Sequence, residues 1–180
     1  MSRRILVAGV GNVFLGDDGF GVEVARRLCE ERFPANVTVA DFGIRGVHLA
    51  YQLLEGYDTL VLVDAAHHGE SPGTVFILEP DLRKPDEIDR GENGFLLDAH
   101  SMDPELILGM LENLGGKIDR VVIVGCEPDS IEEGMGLSEV VQSAVPVAVS
   151  AVHEIIQLDG DYERQTAPEV SAAATRHEPE

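Results

Sequence analysis

The sequence predicts an α/β fold with a twisted, mostly parallel sheet of five strands, and three observations support this prediction. The apolar run that begins at Ile5 lacks alternation, which is typical of a strand covered on both faces of a parallel sheet. Segments with helical spacing of apolar residues separate most of the predicted strands. The fourth strand follows the third after a link too short for a crossover helix, so we expect it to pair antiparallel at a sheet edge.

The first strand turns through Gly9 and Gly11 into an acidic pair, Asp17 and Asp18, which precedes a helix predicted over residues 22–32. Glycines allow the backbone to turn sharply and a partner to approach closely. Carboxylates at a helix start can cap free N–H groups and meet the positive end of the helix dipole. Because ligands bind at the carboxyl ends of strands in open α/β sheets, this turn is the first candidate for a functional site.

A dinucleotide-binding turn is the alternative interpretation of the same stretch, since Gly9 and Gly11 supply its first two glycines. The third glycine position holds Phe14, however, and a pyrophosphate would meet two carboxylates at the helix start. A cation, or a neutral or basic peptide, suits this turn better.

The second and third strands are predicted at residues 36–41 and 59–64, and each runs into an aspartate. A short helix over residues 47–54 connects them and closes at Gly56. The antiparallel edge strand is predicted at residues 74–78.

A helix over residues 104–114 is marked by a capping aspartate, by Pro104 at the first helical position and by two glycines after its end. It leads into the fifth strand, at residues 120–126. Apolar residues then recur at helical spacing over residues 137–158, where Pro146 is expected to kink the helix or split it in two.

Two segments are predicted to lie outside the regular elements. Residues 79–99 are polar and rich in proline and glycine, which indicates a long surface loop that leads to His100. Residues 159–180 change to Ala, Pro, Thr and charged residues, which is typical of a disordered acidic tail. The sequence therefore predicts one domain over residues 1–158.

The charge balance, with 13 Lys and Arg against 33 Asp and Glu, excludes nucleic acid and an anionic membrane surface as expected partners. No apolar run approaches the length of a membrane span, and no secretory signal pattern follows the first residues. Cys29 and Cys126 share no metal-binding spacing, which favours two thiols in a reducing compartment. We therefore expect a cytoplasmic protein.

Four strands end next to an acidic residue, and in a doubly wound sheet these residues would lie along one rim: Asp18, Asp41, Asp64 and Glu127. His100 could reach the same rim. Two carboxylates and one imidazole make a plausible site for a divalent metal such as zinc or nickel, and spacing alone does not choose between them. A remaining acid could act as a base or position a water.

Structural roles are the alternative for most of these residues. Asp18 could be a helix cap, and Asp41 could bond to the backbone of its own turn, whereas nothing local requires a carboxylate at Asp64. His67 and His68 are a competing histidine pair, for which a loop-surface role is favoured. Cys126 lacks a helix start or a basic neighbour that would lower its thiol pKa.

Seven motifs follow one another along the chain: Gly9-Val10-Gly11-Asn12, Leu15-Gly16-Asp17-Asp18-Gly19-Phe20-Gly21, Val63-Asp64-Ala65, Pro72-Gly73-Thr74, His100, Gly125-Cys126-Glu127-Pro128 and Gly134-Met135-Gly136-Leu137-Ser138. With these motifs in the same order and spacing, the sequence resembles the NiFe-hydrogenase maturation endopeptidases over about residues 3–157.

The resemblance implies a three-layer α/β/α sandwich and a hydrolase that removes the C-terminal extension of a NiFe-hydrogenase large-subunit precursor after nickel insertion. Carried over by position, the metal-recognising residues are Asp18, Asp64 and His100, and the first of these is often Glu in relatives. Nickel would be supplied by the substrate, and zinc or another divalent ion could substitute. The precursor is the implied partner, while the oligomeric state stays open.

Asp41 matches a further family acid in a turn that commonly reads Asp-Gly-Gly-Thr, and it is therefore a candidate catalytic base. This chain has Asp41-Phe42-Gly43-Ile44 instead, which suggests a different hydrogenase class as client. Whether the metal or Asp41 activates the attacking water, as in a metal-dependent or an aspartic-type endopeptidase, stays open. The alternatives to a protease are a non-catalytic chaperone that binds nickel or precursor, and a nucleotide-binding α/β domain.

Overall fold

Five strands form one sheet in the computed structural model, which describes residues 2–82 and 104–166. The order across the sheet is β2-β1-β3-β5-β4, in which β4 is antiparallel to β5 and the other neighbours are parallel. The strands are β1 (Ile5–Val10), β2 (Val37–Gly43), β3 (Thr59–Ala65), β4 (Val75–Leu78) and β5 (Arg120–Cys126). The predicted sheet, with its antiparallel edge strand, is confirmed.

Helices cover both faces of the sheet. They are α1 (Phe20–Cys29), α2 (Gly46–Leu53), α3 (Pro104–Asn113) and α4 (Glu139–Thr166), and a 3₁₀ turn over Gly16–Gly19 precedes α1. One apolar cluster joins alternate strand residues to α1 and α4: Val7, Val61, Val63, Val122, Val24, Leu28, Val141, Val145. A second joins the remaining strand residues to α2 and α3: Leu6, Leu60, Leu62, Val121, Leu49, Leu53, Ile107, Leu111. These two cores cover both faces of the sheet and make the α/β/α sandwich. Because β1 and β3 are buried on both faces, nearly all of their residues are apolar.

Of the two effects expected of Pro146, a kink or a split, the split does not occur, because α4 continues through the proline as one helix. Val145 and Ala148 beside the proline are fully buried in the core. This packing outweighs the loss of one backbone hydrogen bond, so the helix continues. Glu139–Asp159 is, among the described residues, the one stretch long and apolar enough to cross a membrane, a test that core helices also pass.

The same helix runs to Thr166, beyond the boundary predicted at residue 158. Asp159 is buried, and its carboxylate accepts hydrogen bonds of 2.6 Å from Thr59 Oγ1 and 2.6 Å from Arg120 Nη1. Asp159 therefore packs with the folded domain, because its buried hydrogen-bonded carboxylate ties this turn of α4 to the start of β3 and β5. The rest of the predicted tail and most of the predicted long loop lie outside the described residues.

Truncation after residue 158 is expected to lower the free energy of unfolding by about 2 kcal/mol, because it removes a buried acceptor shared by a hydroxyl and a guanidinium. Urea denaturation of the purified protein measures this change. Truncation after Thr166 is the matched control and is expected to leave the midpoint unchanged. Equal midpoints for the two truncations would contradict the anchoring role of Asp159.

Candidate active site

The helix α1 starts in direct contact with the carboxyl ends of β1 and β3. A Cβ atom on Gly21 would lie 2.0 Å from the carbonyl oxygen of Val63 and 2.4 Å from that of Val10. A Cβ atom on Gly9 would lie 2.2 Å from the carbonyl oxygen of Gly21. Since no larger residue fits at these contacts, the glycines hold the turn that carries Asp18 against the end of β3.

Asp18 lies buried at this rim, and its Oδ2 accepts a 2.7 Å hydrogen bond from the backbone N–H of Asn12. Gly11 separates it from Asp64: a Cβ atom there would lie 1.9 Å from the Asp18 carbonyl oxygen and 3.7 Å from Asp64 Oδ1. Gly11 also has a φ of +130°, which side-chain-bearing residues rarely adopt. This glycine therefore allows the two aspartates of the predicted metal trio to lie side by side.

Asp64 lies near the end of β3 with a carboxyl group that is 2% exposed, and its buried Oδ1 has no hydrogen-bond partner among the described residues. Burial raises the pKa of Asp64 well above its ordinary value, the charge of Asp18 adds to the rise, and the N–H of Ala65 opposes it. A buried carboxylate with an unpaired oxygen beside a second carboxylate is costly unless a proton or a cation neutralises it.

The donor set fits a divalent cation, since two carboxylates are hard oxygen ligands that leave room for others. No third His, Cys, Asp or Glu completes a metal-binding group within residues 2–82 and 104–166. His100, the third predicted ligand, lies outside the described residues, so its role stays a prediction.

Asp17, the neighbour of Asp18, has a different environment. Its fully buried carboxylate accepts hydrogen bonds from the N–H groups of Asp129 (2.9 Å), Ser130 (3.1 Å) and Ser138 (2.6 Å), and from the hydroxyl of Ser138 (2.9 Å). Asp17 therefore ties the first turn to the loop between β5 and α4, a role that sequence reasoning missed. The only signal was the repeated acid at positions 17 and 18.

Asp41, the candidate base, lies on the face of the sheet opposite to Asp64. It follows Val37 and Val39 on the β2 face that packs against α1, and its Oδ2 lies 3.5 Å from Arg26 Nε. Asp64, by contrast, follows Leu60 and Leu62 on the opposite face. The role of Asp41 as a base stays a prediction without geometric support.

Glu127, the fourth rim acid, holds the loop that follows β3. Its carboxylate accepts hydrogen bonds from the N–H groups of His68 (2.6 Å) and Glu70 (3.2 Å) and lies 3.1 Å from His67 Nδ1. Burial would raise the pKa of Glu127, but these donors hold it below its ordinary value. His67 is partly exposed and His68 stacks on Phe76, which is compatible with the loop-surface role predicted for the pair.

Cys126 is not a candidate nucleophile. Burial raises the pKa of its thiol to about 12, and the charges of Asp17 and Glu127 add to this rise. The thiolate, which is the nucleophilic form, is therefore scarce at neutral pH.

Comparison with known proteins assigns the chain to a family. The family model for hydrogenase maturation proteases of the HycI type matches residues 22–155. The chain belongs to the NiFe-hydrogenase maturation protease family. It is 28% identical to the hydrogenase expression/formation protein HupD of Rhizobium leguminosarum, over 86% of this chain and 74% of that protein. It is 36% identical to the coenzyme F420 hydrogenase subunit delta of Methanothermobacter thermautotrophicus, over 83% of this chain and 92% of that protein.

The fold of this maturation protease also matches solved structures of the family. Superposition on the hydrogenase maturating endopeptidase HybD from E. coli gives a TM-score of 0.73 at 28% identity, and covers 87% of this chain and 94% of that one. The family assignment implies an endopeptidase, and it disfavours the nucleotide-binding domain that the two glycines had left as an alternative.

Proposed function

We propose that this maturation protease removes the C-terminal extension of a NiFe-hydrogenase large-subunit precursor, and that Asp18 and Asp64 recognise the nickel ion that the precursor carries. The observation that carries the proposal is the buried, unpaired Oδ1 of Asp64 beside Asp18. His100 is proposed as the third ligand. The two free cysteines are consistent with a reducing cytoplasm as the setting.

The electrostatics of the pair support recognition of a cation that arrives with the substrate. Two carboxylates with little access to water repel each other and lose hydration, and a divalent ion reverses both costs. Nickel accepts imidazole and carboxylate oxygen ligands, as would zinc or another divalent ion. A precursor without its metal would leave both costs in place, so metal-loaded precursor would be selected.

The class of client is a proposal of its own. The curated relative that shares 36% identity is a subunit of a coenzyme F420 hydrogenase, whereas the HupD relative shares 28%. We propose that the client is a large-subunit precursor of the F420 hydrogenase class.

Processing of nickel-loaded and nickel-free precursor tests the proposal directly. Each NiFe-hydrogenase large-subunit precursor encoded in the same genome is incubated with the purified protein, and the intact mass of the precursor is followed. We expect loss of the C-terminal extension from the loaded form alone. Cleavage of both forms would remove metal recognition and keep the protease, while cleavage of neither would favour a chaperone that binds precursor without cutting it.

A further inference from the structure

Two large apolar side chains are exposed on adjacent backbone segments near the candidate site. Phe14 follows the first turn and is 63% exposed, and Met135 lies in the loop between β5 and α4 and is 78% exposed. A short parallel bridge between Leu15 and Gly134 joins the two segments: Gly134 N–H donates to the Phe14 carbonyl at 2.9 Å, and Gly16 N–H donates to the Gly134 carbonyl at 2.9 Å. We call Phe14 and Met135 the apolar pair.

The apolar pair is fixed relative to Asp18. Asn12 donates its backbone N–H to the Asp18 carboxylate, and its side-chain oxygen accepts the N–H of Phe14 at 3.0 Å. Asp17 holds the loop that carries Met135 through its four hydrogen bonds. Single exposed apolar residues are common on protein surfaces, but apolar residues grouped on adjacent segments beside a candidate site are typical of a binding surface.

The surroundings of the apolar pair are acidic. Asp129, Glu132 and Glu133 are exposed on the same loop as Met135. The sequence has no Lys or Arg between Arg120 and Arg164, so this loop presents negative charge without a compensating side chain of its own. A peptide that docks here would gain from basic residues beside an apolar one.

We propose that the apolar pair is a docking contact for the client segment next to the cleaved bond, with one apolar client side chain on Phe14 and Met135 and basic client side chains facing the acidic loop. This inference rests on the proposed function, because it takes the segment that contains the C-terminal extension as the occupant. It goes beyond metal recognition, since it gives the protease a means to read the peptide chain as well as the ion.

Peptide binding tests the inference independently of cleavage. The probes are fluorescent synthetic peptides that span the start of the C-terminal extension of each large-subunit precursor in the same genome, and fluorescence anisotropy gives the Kd. We expect the double variant Phe14→Ser/Met135→Ser to weaken binding about tenfold, since buried aromatic anchors dominate peptide interfaces. Leu158→Ser is the matched control, because Leu158 is 65% exposed next to Asp159, at the opposite end of β3.

The acidic loop is tested by Glu132→Gln/Glu133→Gln, which should weaken binding about threefold at low ionic strength and have no effect in about 1 M salt. Thermal unfolding of each variant should match the wild type because all four side chains are exposed. Equal Kd values for the Phe14/Met135 variant and the Leu158 control, or no binding of any peptide to the wild type, would overturn the inference. Binding that depends on the apolar pair, without processing of any precursor, would keep the docking contact and overturn the proposed protease function.

Discussion

Asp64→Asn is expected to process precursor more than about 100-fold more slowly than the wild type, and to unfold at a higher temperature. The loss of activity follows because the amide lacks the negative charge of the proposed ligand, and even groups that only support metal ligands cost about 10- to 100-fold when removed. The gain in stability, on the order of 1 kcal/mol, follows because the substitution removes a buried charge that lies beside Asp18.

The stability gain should depend on pH. Since the folded-state pKa of Asp64 is raised, the protonated carboxyl stabilises the fold at acidic pH, and this stabilisation is lost as the pH rises through the folded-state pKa. The difference in melting temperature between the Asp64→Asn variant and the wild type should therefore be small near pH 4 and larger at pH 8. Differential scanning calorimetry at both pH values measures it.

Asp119→Asn is the matched control, because it makes the same chemical change at an exposed residue just before β5, at the opposite end of the sheet. We expect it to retain processing within about threefold, as surface substitutions away from functional features do. Full processing by the Asp64→Asn variant would contradict the proposed site. Loss of processing by the Asp41→Asn variant alone would support the prediction that Asp41 is the base.

Asp17→Asn is expected to lower the free energy of unfolding by about 3 kcal/mol, the largest loss that we predict for a single side chain here. The carboxylate accepts four hydrogen bonds in a buried position, and hydrogen bonds to a charged group contribute about 1.5–3 kcal/mol each. An amide keeps one acceptor oxygen and turns its NH₂ group toward backbone donors. Urea denaturation at neutral pH measures the loss.

Ser138→Ala measures the contribution of the hydroxyl to stability apart from that of the backbone donors. It removes one of the four hydrogen bonds to Asp17 and leaves the carboxylate in place. We expect it to cost about 1 kcal/mol. A cost for Asp17→Asn no larger than that of Ser138→Ala would show that the loop between β5 and α4 does not depend on this carboxylate.

Local patterns predicted the sheet because its strands are short, apolar and buried on both faces. The link before β4 is too short to contain a crossover helix, which predicted the antiparallel edge strand. They also predicted that Asp64 needed an explanation beyond structure. They did not separate Asp17 from Asp18, since the two acids are adjacent and the partners of Asp17 lie more than a hundred residues away. The continuation of α4 past Pro146 and Leu158 depends likewise on core packing and on Thr59 and Arg120, which no local pattern reveals.

The adjacency of Asp17 and Asp18 also fixes the spacing of the first turn. Asp17 anchors the chain to the loop between β5 and α4, and Asp18 lies beside Asp64. The loss of a single residue from the turn would move Asp18 into the anchoring position and leave Asp64 without its neighbouring acid. The register between β1 and α1 must therefore be kept residue for residue in variants of this protease.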